Sequence, residues 1–297
     1  MQRNMSARYC FLLGCSNSGK SLLARALRCL EGTLFADEDI IPTFLAHLVK
    51  QPLEPWIREA ICRGIANHLS LYTTAGGSYS RRKAISEFLT LKLPLTDLGR
   101  AFSATRSFDL FIVESNFFSL APEFLAEAVP NSSWILLVRD GRDCADQLAR
   151  QYQILSDEKL VKLTSSDIII GRKVDHRSVP WWVELGRENE FLAASLYGRA
   201  IWMWKAMVTM SHDWVTRQET AGTLNSMILK YEDFVSAPVE HGERVIAFLQ
   251  KRSNVLALRQ LKKINGLNIG VHKQRARKEL DEAERIAGAE LRRFGYI

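Results

Sequence analysis

The stretch Tyr9–Leu30, YCFLLGCSNSGKSLLARALRCL, decides the fold, because an apolar run, a small glycine-flanked loop and a helical repeat follow one another without a break. Tyr9 to Leu13 reads as a buried strand. Leu22, Leu23, Ala26, Leu27 and Leu30 recur at the spacing of one helix face. Between them, Gly14-Cys15-Ser16-Asn17-Ser18-Gly19-Lys20-Ser21 fits the phosphate-loop pattern GxxxxGK[ST]. Gly14 and Gly19 permit the backbone angles of a tight turn, so that successive N–H groups and the following helix N-terminus converge on an anion. Lys20 adds a charge. A glycine turn that binds nothing is the bland alternative, and the strand-loop-helix context speaks against it.

The 297 residues, 47% hydrophobic and 25% charged, suffice for one large core, and we expect a single domain over 1–297. Lys plus Arg number 40 against 33 Asp plus Glu, a net charge of +7 that suits an anionic ligand but is spread too evenly to specify nucleic acid. Cys10, Cys15, Cys29, Cys62 and Cys144 are scattered, odd in number and lack CxxC spacing, so that neither a disulfide framework nor a zinc site is indicated, which fits a reducing cytoplasm. The apolar run after Arg3 and Arg8 stops at Gly14, too short for a signal segment, and no later stretch reaches membrane-span length. The expectation is a cytoplasmic protein without a membrane span. Its oligomeric state is not legible.

Further apolar runs alternate with helical patterns. Gly32–Ala36 ends in the acidic cluster Asp37-Glu38-Asp39, and a mostly helical region runs from Pro42 to about Leu71. Phe108–Glu114, FDLFIVE, is a second buried-strand candidate, with a crossover helix at Leu120–Ala128. Trp134–Val138, WILLV, runs directly into Arg139-Asp140-Gly141-Arg142-Asp143, and Met227–Lys230 ends in Tyr231-Glu232-Asp233-Phe234. Continuous apolar strands alternating with helices predict an α/β fold of three layers, a central parallel sheet flanked by helices. Ligand-binding residues then belong at the strand ends: Gly14 to Ser21, Asp37 to Asp39, Glu114 to Asn116, and Arg139 to Asp143. Thr73–Ser80 has loop composition, and Arg81-Arg82-Lys83 reads as a solvated helix start. Ile154–Glu190 is irregular and polar, as a functional loop or lid would be. Trp202, Trp204 and Trp214 read as core packing on a helix from Phe191 to Val215. Pro238–Leu249 is an amphipathic helix, and a basic run Lys273–Lys278 leads into a helix from about Leu280.

Taken in order, GCSNSGKSLL, WILLVRDGRDCADQL, ILKYEDFVSAP and RARKELDEAERIAGAELRRFGY resemble the sulfotransferases that use 3′-phosphoadenosine 5′-phosphosulfate (PAPS), over nearly the whole chain. The resemblance implies a P-loop-like fold that carries a sulfuryl group from PAPS to a hydroxyl or amine of a small-molecule or glycan acceptor, with no metal required. It implies that Ser16, Asn17, Ser18, Gly19, Lys20 and Ser21 hold the 5′-phosphosulfate. Arg139 then matches the arginine of the 3′-phosphate, and Tyr231 falls near the adenine. Arg275 and Arg277 match a basic segment, within 270–297, that folds over the 3′-phosphate. Glu232 and Asp233 read as structural acids at a helix entry. The chain also departs from the family pattern. Asn17 replaces a cation of the loop, Lys20 replaces a threonine, and Gln147 stands where a serine usually touches the 3′-phosphate. A glutamine amide can still donate there.

Deprotonating an acceptor hydroxyl requires a positioned base. The segment LFADEDIIP resembles one that carries a glutamate base in some family members, which points to Glu38, then Asp37; Glu114 at a strand end is the third candidate. Each could equally be a solvated rim carboxylate. The six histidines lack metal spacing, and His272 alone sits beside the basic tail. The acceptor is expected between the Asp37–Asp39 rim and Trp181-Trp182, so 155–190 is the acceptor-side segment. The loop alone also suits an ATP- and magnesium-dependent small-molecule kinase, with Glu114 as a metal-site acid. A non-catalytic nucleotide-binding protein is a third reading.

Overall fold

Five strands make one parallel sheet in the order β2-β3-β1-β4-β7: β1 Arg8–Leu13, β2 Thr33–Asp37, β3 Leu110–Glu114, β4 Ser133–Val138 and β7 Asn225–Lys230. The computed structural model describes residues 7–37, 45, 48, 52–74, 108–151, 155–164, 171–266 and 268–297. Glu38, Asp39 and Arg81-Arg82-Lys83 lie outside them.

The apolar strands read as continuous runs because both faces of the sheet are covered. On one face Phe11, Leu13, Phe111, Val113, Trp134 and Leu136 pack with Trp202, Trp204 and Trp214 of the helix Leu196–Thr220. On the other, Cys10, Leu12, Ile112, Ile135 and Leu137 pack with Leu23 and Leu27 of the helix Lys20–Leu27, Val245 of Pro238–Phe248 and Leu261 of Val255–Leu261. Alternate residues of one strand thus enter opposite cores, as the period of a strand requires. The three tryptophans are core residues: Trp134 meets Trp214 with ring centroids 4.6 Å apart. The layers are those expected, helices on each side of a parallel sheet.

The segment 155–190 is more regular than its sequence. It carries a helix, Asp157–Thr164, and an antiparallel hairpin of β5 Arg172–Val174 and β6 Arg177–Val179. Strands of three residues are too short for periodicity to register. What fixes them is charge and ring contact with distant chain: Asp157 Oδ1 accepts from Arg177 at 3.1 Å and Arg199 at 3.0 Å, and Trp182 meets Phe191 edge-on. The last helix is Arg277–Arg293, beginning three residues before Leu280. Among the described residues, no helix is long and apolar enough to cross a membrane, and the five cysteines are free thiols.

The order β3-β1-β4 is what places the site. From β1 the chain goes out to β2 and returns to β3 on one side, then crosses to β4 on the other. The carboxyl ends of β1, β3 and β4 therefore open on a common crevice, the place where sheets of this kind hold ligands.

Candidate functional site

The loop after β1 has the backbone its glycines suggested. Gly14 stands at φ 135°, Asn17 at 64° and Gly19 at 98°. Asparagine tolerates the left-handed region better than most residues. At Gly19 glycine is needed twice over, for its angle and because a Cβ would lie 2.4 Å from the Tyr231 ring. The turn is closed by Ser18 N–H donating to Cys15 O at 3.1 Å, and Gly14 N–H donates to Ser119 Oγ at 2.8 Å. The helix Lys20–Leu27 starts immediately, with its first N–H groups at the mouth of the loop.

Lys20 is only 3% exposed, and its ammonium donates to Gly14 O at 2.7 Å, Cys15 O at 3.0 Å and Asn116 Oδ1 at 3.3 Å. These three acceptors are neutral oxygens, and an anion is a stronger acceptor for an ammonium. Beside it, Ser21 Oγ donates to Glu114 Oε1 at 3.2 Å. Glu114 ends β3, is 8% exposed, and its carboxyl is pushed above the usual range by burial, with Lys20 pulling the other way.

Arg139 follows β4 and is fixed on several sides. Its guanidinium lies 4.4 Å from the centroid of the Tyr231 ring, a cation–π stack. One terminal nitrogen donates to Asn17 O at 2.7 Å and approaches Gln147 Oε1 at 3.4 Å, while the other donates to Asn268 O. Its carbonyl accepts from the Trp204 indole at 3.0 Å. Gly141 lets that indole approach, since a Cβ there would be 2.2 Å from the ring. Asp140 N–H donates to Glu232 Oε1 at 3.0 Å, and Tyr296 Oη donates to Glu232 Oε2 at 3.1 Å, so Glu232 is the structural acid its position suggested.

These groups share one cleft of about 190 Å³, lined by Asn17, Gly19, Lys20, Ser21 and Leu22 of the loop, Glu114 and Asn116 after β3, Arg139 and Gln147 after β4, Tyr231 after β7, and Asn268. Lys20 and Arg139, far apart in the chain, are cations of the same hollow. Asn17 Nδ2, Ser18 Oγ, Glu114 Oε2 and Arg139 Nε are buried without a hydrogen-bond partner among the described residues. Such groups cost free energy unless something occupies the space they face.

The remaining expected site residues lie elsewhere. Ser16 is a half-buried turn residue of the loop. Asp37, at the exposed end of β2, forms a salt bridge with Arg28 at 3.0 Å. Arg275 is turned to the helix Gly141–Gln151, where it donates to Asp146 Oδ1 at 2.6 Å, to Glu279 Oε1 at 2.9 Å and lies over the Tyr197 ring. Arg277 pairs with Asp281 at 2.9 Å on the surface. The nearby acids decide this: Asp281, one turn along its own helix, pairs with Arg277, and Asp146 and Glu279 pair with Arg275 just before that helix begins. Asn116, the last residue of the strand-end stretch Glu114 to Asn116, lines the cleft as well. Asn268 is a cleft residue that the sequence did not single out, since nothing in the local pattern there marks it.

No family model matches the chain, and no curated protein matches it. Among solved structures, it is similar to a sulfotransferase from Alicyclobacillus acidocaldarius at 15% identity, covering 97% of this chain and 94% of that one with a TM-score of 0.49. It is similar to the sulfotransferase domain of a Synechococcus olefin synthase at 13% identity, 96% and 97% coverage and a TM-score of 0.46. For the sulfotransferase domain from the curacin biosynthetic pathway the values are 17%, 96%, 97% and 0.47.

Proposed function

We propose that the protein is a sulfotransferase that moves the sulfuryl group of PAPS to a hydroxyl or amine of a small-molecule or glycan acceptor. The observation that carries this reading is the meeting of Lys20 and Arg139 in one cleft, with Tyr231 stacked on the arginine. One cation serves each end of a doubly phosphorylated adenosine. Arg139 takes the 3′-phosphate, whose oxygens are better acceptors than the carbonyls of Asn17 and Asn268. Gln147 assists there and Tyr231 borders the base. The N–H groups of Ser16 to Ser21 and the Lys20 ammonium hold the 5′-phosphosulfate.

In the reaction, the bond between sulfur and the bridging phosphate oxygen breaks as the acceptor oxygen bonds to sulfur. The electron pair goes to the bridging oxygen, where Lys20 and the helix N-terminus stabilise the growing charge. The acceptor proton goes to a carboxylate. Of the two candidate acids among the described residues, Asp37 and Glu114, it is Glu114 that lines the cleft, with one oxygen unpartnered and an elevated affinity for a proton. It therefore takes the role of base in this reading. Glu38 lies outside the described residues, and Asp37 is engaged by Arg28.

A second reading has one observation in its favour. The hydrogen bond from Ser21 Oγ to Glu114 Oε1 joins a loop hydroxyl to a strand-end acid, the two groups that a magnesium-dependent P-loop kinase places around its metal. Incubation with sulfuryl-labelled PAPS and a panel of alcohols, phenols, amines and glycans separates the two. Label transfer that survives chelation of divalent ions supports the sulfotransferase. Transfer from γ-labelled ATP in magnesium, with none from PAPS, replaces it with the kinase.

A further inference from the structure

Arg139 and Asp143 are opposite charges four residues apart, their side chains 2% and 1% exposed, yet their closest approach is 4.0 Å. In so dry a place an arginine and a carboxylate ordinarily close to a direct hydrogen-bonded pair, at about 2.8 Å. Such a pair would neutralise the guanidinium that faces the cleft.

What occupies Asp143 instead is the tail. Its Oδ1 accepts from His272 Nδ1–H at 2.6 Å and from His272 N–H at 3.0 Å, and its Oδ2 accepts from Gly270 N–H at 2.7 Å. Both carboxylate oxygens are thereby engaged by the tail, Oδ1 by His272 and Oδ2, the oxygen nearest Arg139, by the Gly270 amide. His272 is itself 6% exposed. The other acid near its ring, Asp140, stands 4.0 Å from Nδ1 and is held by Arg142, from Nε to Oδ1 at 3.0 Å and from a terminal nitrogen to Oδ2 at 2.7 Å. Among the described residues, Arg139 meanwhile donates only to the neutral oxygens of Asn17, Gln147 and Asn268, and its Nε is without a partner.

On the reading that Arg139 meets the 3′-phosphate, we infer that His272 is a positioning residue: by holding the Asp143 carboxylate it keeps that acid from closing on Arg139 and so preserves the arginine's charge for the ligand. Selectivity for a 3′-phosphorylated nucleotide then depends on a side chain that never touches it. Losing His272 lets Asp143 turn to the guanidinium, and the ligand's phosphate must compete with a buried carboxylate rather than with backbone carbonyls.

The test combines structures and affinities. Nucleotide-free crystal structures are compared for the wild type, His272→Ala and His272→Asn. Calorimetry gives the affinities for 3′-phosphoadenosine 5′-phosphate (PAP) and AMP in these proteins, in His272→Ala/Asp143→Asn and in Asp143→Asn. In His272→Ala the separation of Arg139 and Asp143 should shrink to direct contact. The preference for PAP over AMP should fall about tenfold, as expected for the loss of one charge-assisted contact, with AMP affinity unchanged. His272→Asn, whose amide can donate from near the Nδ1 position, should keep the wild-type preference. Asp143→Asn should keep it alone and restore it in the His272→Ala background, because a neutral amide cannot cancel the guanidinium.

An unchanged separation with an unchanged preference in His272→Ala overturns the inference. So does failure of Asp143→Asn to restore the preference, which makes His272 a scaffold rather than a partner for the acid. Loss of the preference in Asp143→Asn alone overturns it even if His272→Ala does not fold. If the wild type binds PAP no better than AMP while the pair closes in His272→Ala, the positioning role stands and the proposed function falls.

Discussion

Glu114 and Arg139 are buried charges whose surroundings differ from those of ordinary surface charges. Burial raises the Glu114 carboxyl above its usual 4.5, so the ionised form is held in the fold at a cost. The penalty is absent below the unfolded value and grows as pH rises through the folded one. Thermal denaturation should therefore find wild type losing ground to Glu114→Gln as pH increases from about 4.5, the ordinary value; parallel curves would contradict the shift. If Glu114 is the base, Glu114→Gln lowers turnover by about 10²-fold or more with PAP affinity nearly kept. The acid limb of the rate profile then sits above the ordinary carboxylate range. For Arg139→Ala we expect PAP affinity to fall about 10- to 100-fold while AMP binding changes only slightly, which calorimetry can read; equal losses would remove its role. Residue identities at strand ends were legible because β topology alone assigns those positions. The partners of Arg275 were not, since a guanidinium chooses among acids brought near only by folding.

At the scale of elements, two glycines in helices predict opposite outcomes. Gly64, exposed within the helix Pro55–Thr74, has nothing within 4 Å of where an added methyl would lie, so Gly64→Ala should stabilise by about 0.5–1 kcal/mol in urea denaturation. Gly141 begins the helix Gly141–Gln151 against the Trp204 indole. Gly141→Ala should destabilise by about 1–3 kcal/mol and weaken PAP binding by moving Arg139; an unaffected protein would mean the indole has room to shift. The sheet's strands and the helices Lys20–Leu27 and Pro238–Phe248 were readable from apolar runs and spacing. The hairpin Arg172–Val179 was not, because the Arg172 and Arg177 contacts that hold it reach other elements.

Across the whole molecule, several acids are stabilised in ionised form by cations from distant chain. Burial alone would raise Glu184, yet hydrogen bonds from Lys205 and Trp202 bring it down to about 2. Asp143 is likewise depressed, burial being outweighed by His272 and the Gly270 amide. For depressed carboxylates the contribution is present above the unfolded pKa and disappears as pH falls through the folded one. The melting temperature should therefore decline steadily from about pH 4.5, the ordinary carboxylate range, towards pH 2, and less steeply in Glu184→Gln, whose own contribution has already been lost; identical slopes would refute the link. The parallel sheet was foreseeable from the sequence. The convergence of β1, β4, β7 and the segment after Gly266 on one cleft needed the fold, since it depends on strand order and on Asn268 reaching Arg139. The central claim is that Lys20 and Arg139 hold opposite ends of one doubly phosphorylated adenosine. Titration of the wild type and Arg139→Ala with PAP, AMP and magnesium-ATP tests it most directly. The account predicts tightest binding for PAP, with that advantage lost in Arg139→Ala; binding of magnesium-ATP alone, indifferent to the substitution, would contradict it.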